Sequence, residues 1–193
     1  MDSERPAPYR DAKRAGRDAV AEGLLELADA RLASEGAGGL SMRRLANAAG
    51  CSTMVFYTAF GTKAGLVEAL AAREVDRWID GALTHADPDP VAWLDATGRA
   101  LIALAAERPH HRDLVLVPPA VLDLGAAVRS AVADAWSASV PGSVGADVAA
   151  AVWSAWRGAL AADPTEATQV HAGVLRLWSA TLARAAGGGG VVP

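Results

Sequence analysis

The chain has 193 residues, of which 52% are hydrophobic and 21% charged, and this balance excludes a largely disordered protein. Alanine, the best helix former, supplies 46 residues, whereas isoleucine, phenylalanine and tyrosine occur twice each, so we expect an all-α fold. A single cysteine excludes an internal disulfide framework. No segment resembles a signal peptide or a membrane span, and we therefore expect a soluble, cytoplasmic protein that does not bind membranes.

The formal net charge of −4 argues against a protein that coats nucleic acids non-specifically, but the acidic residues are unevenly distributed. Residues 36–67 contain no aspartate or glutamate, and residues 5–17 carry five basic side chains against Asp11 alone. Although the protein is acidic overall, residues 36–67 carry no negative side chain and residues 5–17 carry only one.

The predicted elements begin with residues 1–14, which contain two prolines and several charges and which we interpret as a mobile basic arm. Apolar residues then recur at helical spacing as far as Gly36, which predicts a first helix that ends in a glycine-rich turn. Three polar residues suited to cap further helices follow within 22 residues, namely Ser41, Ser52 and Thr62. They predict two short helices and a longer one that runs to about Leu83.

The clearest linker is Asp87-Pro88-Asp89-Pro90, so we place a domain boundary near residue 85. The same repeat predicts a helix start with Asp89 as the N-cap and Pro90 at the first helical position, and Asp163-Pro164 predicts another helix start in the same way. Beyond it, helical spacing of apolar residues predicts a helix that ends at Arg108, and further helices over roughly 120–138, 146–161 and 164–185. Pro141-Gly142-Ser143 predicts a turn, and a run of glycines predicts a flexible tail over 187–193.

Two short helices joined through Ala49-Gly50-Cys51, preceded by a longer helix and flanked by acid-free sequence, are the parts of a helix-turn-helix. In such a unit the second helix enters the major groove by its N-terminal turn, where short polar side chains approach bases and phosphates. Ser52, Thr53 and Thr58 meet this requirement. The phenol of Tyr57 can reach a phosphate, and the ammonium group of Lys63, in the first turn of the next helix, can hold another.

The segment 41–66 reads SMRRLANAAGCSTMVFYTAFGTKAGL and resembles the DNA-binding domain of TetR-family transcriptional regulators, with a match that covers roughly residues 17–70. It has the Leu-Ala…Ala-Gly-x-Ser core, a Tyr-x-x-Phe at the end of the recognition helix, and a Lys…Leu opening of the fourth helix. The resemblance implies phosphate contacts from Ser41, Ser52, Tyr57 and Lys63. It also implies that Thr53, Met54 and Thr58 lie near base edges.

Several positions depart from the common pattern of that family. Where many members carry Lys or Arg, then Gly and Thr, this chain has Thr53, Met54 and Val55, so the base preference of relatives does not carry over. Arg43 and Arg44 are adjacent on a helix, so at most one of them faces DNA. We take Arg43 as the candidate contact, and a solvated face is the alternative for both.

Farther along, Glu107-Arg108-Pro109 and Trp156-Arg157-Gly158 resemble the Glu-x-Pro and Trp-His-Gly landmarks of one TetR C-terminal subclass, with Arg157 in place of the histidine. The resemblance implies an all-α fold, a homodimer joined by the last two helices, and an effector pocket enclosed by the middle helices. The interior of residues 91–160 is mostly Ala, Val, Leu and Trp, so we expect a largely apolar small-molecule effector. The candidate lining residues are Trp93, Thr97, Leu101, His110, His111, Leu114, Trp153 and Trp156.

The sequence therefore predicts a DNA-binding transcriptional regulator, a repressor that a small molecule releases from a palindromic operator. Residues 15–84 would form the DNA-binding domain and 85–186 the effector-binding and dimerisation domain. No Gly-x-Ser-x-Gly, His-Glu-x-x-His or P-loop motif occurs, so we expect no catalytic residue, metal or cofactor. The alternative is a helical ligand-binding or scaffold dimer without DNA-binding activity, and a salt-dependent shift of duplex DNA would distinguish the two.

Overall fold

The computed structural model describes residues 7–140 and 145–187, and within these ranges the chain forms nine α-helices, one turn of 3-10 helix at Gly36–Gly39, and no strand. This confirms the predicted all-α fold. The α-helices are α1 (Ala7–Glu35), α2 (Met42–Ala49), α3 (Thr53–Phe60), α4 (Lys63–Leu83), α5 (Pro90–Glu107), α6 (Pro109–Val115), α7 (Ala120–Ser139), α8 (Gly145–Ala161) and α9 (Pro164–Gly187).

The first helix begins earlier than the sequence pattern predicted, because residues 7–14, which we expected in a mobile arm, are helical. The physical reason is the position of the prolines. Pro8 lies in the first turn of α1, where a missing N–H removes no hydrogen bond. The residues that follow are mostly alanine, lysine and arginine, all good helix formers. Residues 1–6 lie outside the described ranges.

The chain divides into two compact units, residues 1–72 and 73–193, so the division falls inside α4. The sequence placed it near residue 85, at the Asp-Pro repeat that follows the end of α4. The repeat starts a helix, as its sequence also predicts: Asp89 accepts a hydrogen bond from the Val91 backbone N–H at 2.9 Å, and Pro90 occupies the first turn of α5. The predicted turn at 141–143 and the tail beyond Gly187 lie outside the described ranges.

In the N-terminal unit, α1 contacts α2 and α3, and α2 contacts α3. The core side chains are fully buried leucines and one phenylalanine, including Leu32 of α1, Leu45 of α2, Phe56 of α3 and Leu66 of α4. Gly50 has a φ of 64°, in the left-handed region that favours glycine, and it ends α2 so that the chain can turn into α3.

In the C-terminal unit, α8 packs against α7 and α9, and α5 packs against α9. All six tryptophans of the chain lie in this unit, and all are buried. A Cβ added at Gly98 of α5 would lie 2.2 Å from the His171 ring of α9, so only glycine allows these two helices to approach so closely.

No single helix in the described ranges is long and apolar enough to cross a membrane. The bent pair formed by α6 and α7 passes the same test, on length and composition only.

Candidate nucleic-acid interface

The recognition helix predicted from the sequence, α3, is attached to its unit by one face and exposes the other. Phe56 is fully buried, and its ring centroid lies 6.2 Å from that of Phe60. In contrast, Met54 is 68% exposed and Tyr57 47% exposed. Sequence reasoning did not single out Phe56, although its spacing of four residues from Phe60 indicated a shared helix face.

Seven of the eight residues predicted to contact DNA are exposed, and the eighth, Ser41, is half-buried. The exposed residues lie at the starts of α2, α3 and α4 and along the outer face of α3; they are Arg43, Ser52, Thr53, Met54, Tyr57, Thr58 and Lys63. The structure therefore presents short polar side chains where a recognition helix needs them.

The predicted helix caps differ in what their side chains do. Ser41 and Ser52 occupy the N-cap positions of α2 and α3 with extended backbones, but neither side chain makes a capping hydrogen bond. Thr62, in contrast, accepts a hydrogen bond from the Gly65 backbone N–H at 3.0 Å. The two serine hydroxyls, together with the N–H groups at each helix start, are therefore available for phosphate oxygens.

The hydroxyl of Thr58 already donates a hydrogen bond within α3. It donates to the Met54 carbonyl at 2.8 Å, so toward a base edge Thr58 can offer only an acceptor lone pair or its methyl group. An amino group of adenine or cytosine, or the methyl group of thymine, would suit this side chain.

The structure distinguishes the two adjacent arginines of α2. Arg44 donates to Glu35 at 2.5 Å and to the Gly38 carbonyl at 3.3 Å. Arg31 also donates to Glu35, and hydrogen bonds and charge from Arg31 and Arg44 lower the pKa of the Glu35 carboxyl below its ordinary value. Arg43 is exposed and takes part in no ion pair among the described residues. The arginine chosen from the sequence is thus the one left available.

The start of α4 is held tightly against the end of α3. A Cβ at Gly65 would lie 2.1 Å from the Phe60 carbonyl oxygen, and Gly61 between the two helices has a φ of 70°. This junction fixes Lys63, the first residue of α4, with respect to the exposed face of α3.

Of the eight predicted effector-contacting residues, six are buried, Leu114 is half-buried and His110 is exposed. The buried residues come from three helices and are Trp93, Thr97 and Leu101 of α5, His111 of α6, and Trp153 and Trp156 of α8. His110 therefore does not join the others, because its neighbour on α6 takes the inward position.

The polar members of this buried set already have partners within the protein. The Thr97 hydroxyl lies 3.4 Å from His85 Nε2. His111 Nε2 lies 2.6 Å from an Arg108 nitrogen, which can only donate a hydrogen bond. Arg108 also donates to the buried carboxylate of Glu74 at 2.6 Å.

A second buried polar contact was missed by sequence reasoning. His171 of α9 lies 3.1 Å from the Asp95 carboxylate of α5, and its ring packs 5.9 Å from that of Trp156. The available signal was its spacing of three and seven residues from Val174 and Trp178, which places His171 on the buried face of α9.

An apolar groove of about 200 Å³ lies between α7, α8 and α9, and it contains none of the predicted effector residues. Two of its lining residues, Trp136 and Trp178, form an edge-to-face pair with their ring centroids 4.8 Å apart. A third lining residue, Leu177, is 72% exposed. The remaining lining residues are Val148, Ala151, Val152, Ala155, Val174 and Thr181.

Residues 24–70, which include α2, α3 and the start of α4, match the family of bacterial regulatory proteins of the tetR type. This segment of the chain is similar to the DNA-binding region of TetR-family regulators. The resemblance predicted for residues 17–70 is confirmed over residues 24–70, and the N-terminal unit contains a helix-turn-helix.

Solved structures share the fold. A TetR-family transcriptional regulator from Pectobacterium atrosepticum is 18% identical, with a TM-score of 0.65 over 85% of this chain and 94% of that protein. AibR, in complex with isovaleryl coenzyme A and operator DNA, is 17% identical, with a TM-score of 0.57 over 82% and 97% of the two chains. A protein of unknown function from Rhodococcus sp. RHA1 is 22% identical, with a TM-score of 0.64 over 81% and 94%. No curated protein matches the chain in sequence.

Proposed function

We propose that this protein is a TetR-family regulator, a non-enzymatic, cytoplasmic homodimer that represses transcription from a pseudo-palindromic operator. The observation that carries this proposal is the exposed, acid-free surface of α2 and α3, on which Ser41, Ser52 and Arg43 keep polar groups free of capping bonds and ion pairs. The complex of AibR with operator DNA supports it by similarity of fold.

A homodimer follows from the size of the reading helix. The eight residues of α3 read too few base pairs for specificity, and a two-fold dimer presents two such helices to two half-sites. The groove between α7, α8 and α9 supports dimerisation through the last two helices, because exposed Leu177 stands beside an apolar recess that a helix of a second copy would cover.

We place the effector site among α5, α6 and α8, where Trp93, Leu101 and Trp156 supply apolar surface. The few polar groups there are Thr97 and His111, which also contact His85 and Arg108 within the protein. A largely apolar small molecule fits that composition. It would release DNA by binding more tightly to a dimer whose two recognition helices are misaligned, since only differential affinity shifts an equilibrium. A coupling of about 1–3 kcal/mol weakens operator affinity roughly 5- to 150-fold.

The DNA part is tested by selecting duplexes from a random pool with the purified protein and measuring affinity for the enriched sequence at several salt concentrations. We expect an inverted repeat, two chains per duplex, and affinity that falls steeply as salt rises. Enrichment of no sequence, with no shift of any duplex, would overturn the proposal and favour a helical dimer without DNA-binding activity.

The effector part is tested separately, by a thermal-shift screen of hydrophobic metabolites followed by operator release with each hit. Trp156→Ala should abolish the response to a hit that acts at the proposed site, whereas Leu177→Ala should leave the response intact and weaken dimerisation. Hits that stabilise the protein without changing operator affinity would refute induction while leaving DNA binding intact.

A further inference from the structure

The first half of α1 lies outside the packed core of the N-terminal unit. Residues 8–20 are all exposed, and Leu24 is the first buried residue of the helix. At 1.5 Å per residue, the helix extends about 21 Å from Leu24 back to Arg10. Something other than burial of apolar surface must account for this extension.

The extension carries a stripe of four cations. Arg10, Lys13, Arg14 and Arg17 recur at intervals of three, one and three residues, and at 100° per residue they fall within an arc of about 100°. We call this set the basic stripe. Asp11 lies beside the arc, at about 60° from Arg14.

The basic stripe lies on the same face of α1 as the residues by which this helix packs against its unit. Leu24, Ala28 and Leu32 fall in the same arc as the four cations, and all three are buried in the unit where α1 contacts α2 and α3. The stripe therefore lies on the side of α1 that faces the helix-turn-helix.

No ion pair among the described residues involves any of the four cations. Like charges three and four residues apart destabilise a helix by a few tenths of a kcal/mol each in general, so the stripe does not exist to stabilise α1. In a chain of net charge −4, a stripe of cations without ion pairs among the described residues, in the same unit as the acid-free segment 36–67, is suited to an anionic partner.

We propose that the basic stripe binds the phosphate backbone of operator DNA next to the half-site read by α3, an inference that rests on the proposed function. The stripe is about 10 Å long, and duplex DNA presents one phosphate per about 1.7 Å of its axis, so about six phosphates lie within that length. A lipid surface suits it less, because apart from Tyr9 and Val20 the segment has no large apolar side chain with which to enter a membrane.

The test compares two variants. The first, R10Q/K13Q/R14Q/R17Q, removes the charge of the basic stripe. The second, A12K/K13A/R14A/A15R, moves two cations to the opposite face of α1 and keeps the composition and net charge of the native chain. Circular dichroism shows whether α1 stays helical in both variants. Adding Lys63→Ala to the first variant should weaken DNA binding further if the helix-turn-helix still contacts DNA.

The measurement is the salt dependence of binding to an operator selected by the native protein, in duplexes with long flanks and in duplexes trimmed at the half-sites. We expect the first variant to reduce the slope of log K against log salt by up to about 3.6 per protomer, since each lost phosphate contact removes about 0.9. The second variant should lose about half as much, and trimming should weaken the native protein but not the first variant.

Slopes equal to the native value in both variants, or full affinity in the second, would overturn the role of the stripe and leave α3 as the reader of DNA. Loss of binding to anionic vesicles, with operator binding unchanged, would assign the stripe to a membrane instead. If the native protein bound no duplex, the proposed function would fall first, and this inference with it.

Discussion

The two units of the molecule place their polar side chains in opposite ways. In the N-terminal unit, Ser52 is exposed and makes no capping hydrogen bond, and Arg43 is exposed and forms no ion pair with any residue that the structure describes. Both lie outside a core of leucine and phenylalanine. In the C-terminal unit, Glu74 is 1% exposed and accepts hydrogen bonds from Arg108 and Trp78. Polar substitutions should therefore change ligand affinity in the first unit and stability in the second.

The largest effect is expected at Glu74. Removing one partner of a buried ion pair leaves the other charge uncompensated, so Glu74→Ala should lower the free energy of unfolding of the C-terminal unit by about 3–5 kcal/mol. Urea denaturation measures it. The exposed pair between Arg77 and Glu107, at 3.0 Å, supplies the control, and Glu107→Ala should change stability by no more than about 1 kcal/mol. Equal losses in the two variants would contradict the distinction.

The next effect separates glycines that allow close helix packing from those that do not. Gly98→Ala forces a methyl group into the His171 ring, and we expect a loss of about 1–3 kcal/mol in the free energy of unfolding. Gly23 of α1 has no atom within 4 Å of an added Cβ, so Gly23→Ala should stabilise the N-terminal unit by about 0.5–1 kcal/mol. Thermal unfolding measures both, and a stabilised Gly98→Ala would refute the contact.

Within the N-terminal unit, readout of bases should separate from positioning on phosphates. Thr58→Val removes the acceptor but keeps the shape, so it should change base preference by about 1–3 kcal/mol at one operator position. Lys63→Ala should weaken all duplexes alike and reduce the salt slope by about 1. Affinities for a panel of single-base operator variants at two salt concentrations decide the matter. The opposite pattern would reverse the two roles.

The two arginines of α2 provide a smaller contrast. Arg43→Ala should lower DNA affinity and reduce the salt slope by about 0.9 without changing the melting temperature. Arg44→Ala removes the hydrogen bonds to Glu35 and Gly38, so it should change the melting temperature slightly and the salt slope less. A larger salt-slope effect at Arg44 would show that its ion pair opens on DNA.

The smallest effect concerns the start of α9, where backbone N–H groups of Glu166 and Thr165 lower the pKa of Asp163 below its ordinary value of 3.8. A lowered pKa contributes stability that is present above pH 3.8 and is lost as the pH falls through the folded value. Asp163→Ala should therefore be slightly less stable than the native protein at pH 7, and the difference should shrink in acid. Asp163→Ser should keep the cap without the pH dependence.

The sequence predicted the features that depend on near neighbours. The starts of α5 and α9 followed from Asp-Pro pairs, and the exposed face of α3 followed from the short polar residues after Gly50. Contacts between distant residues could not be predicted, because helical spacing shows that a side chain is buried but not against what. The Arg108 contact with Glu74 spans 34 residues and that of His171 with Asp95 spans 76.

The sequence also did not predict that residues 7–14 are helical, and the reason is related. Pro8 is a helix breaker in an interior position but is tolerated in a first turn, and the sequence alone did not decide which position it would occupy. Leu177 is likewise not placed by the sequence, since it lies next to buried Trp178 on α9 and the structure exposes it beside the groove.

Because every tryptophan lies between residues 78 and 178, none belongs to the unit that holds α3. The intrinsic fluorescence of tryptophan therefore reports on the C-terminal unit and not on the unit that contains α3. An effector that binds near Trp93 or Trp156 should quench or shift the tryptophan fluorescence directly. Unfolding of the helix-turn-helix alone should leave that fluorescence unchanged. A Phe60→Trp substitution would add a fluorescent group to the N-terminal unit, so that unfolding of both units could be followed in one sample.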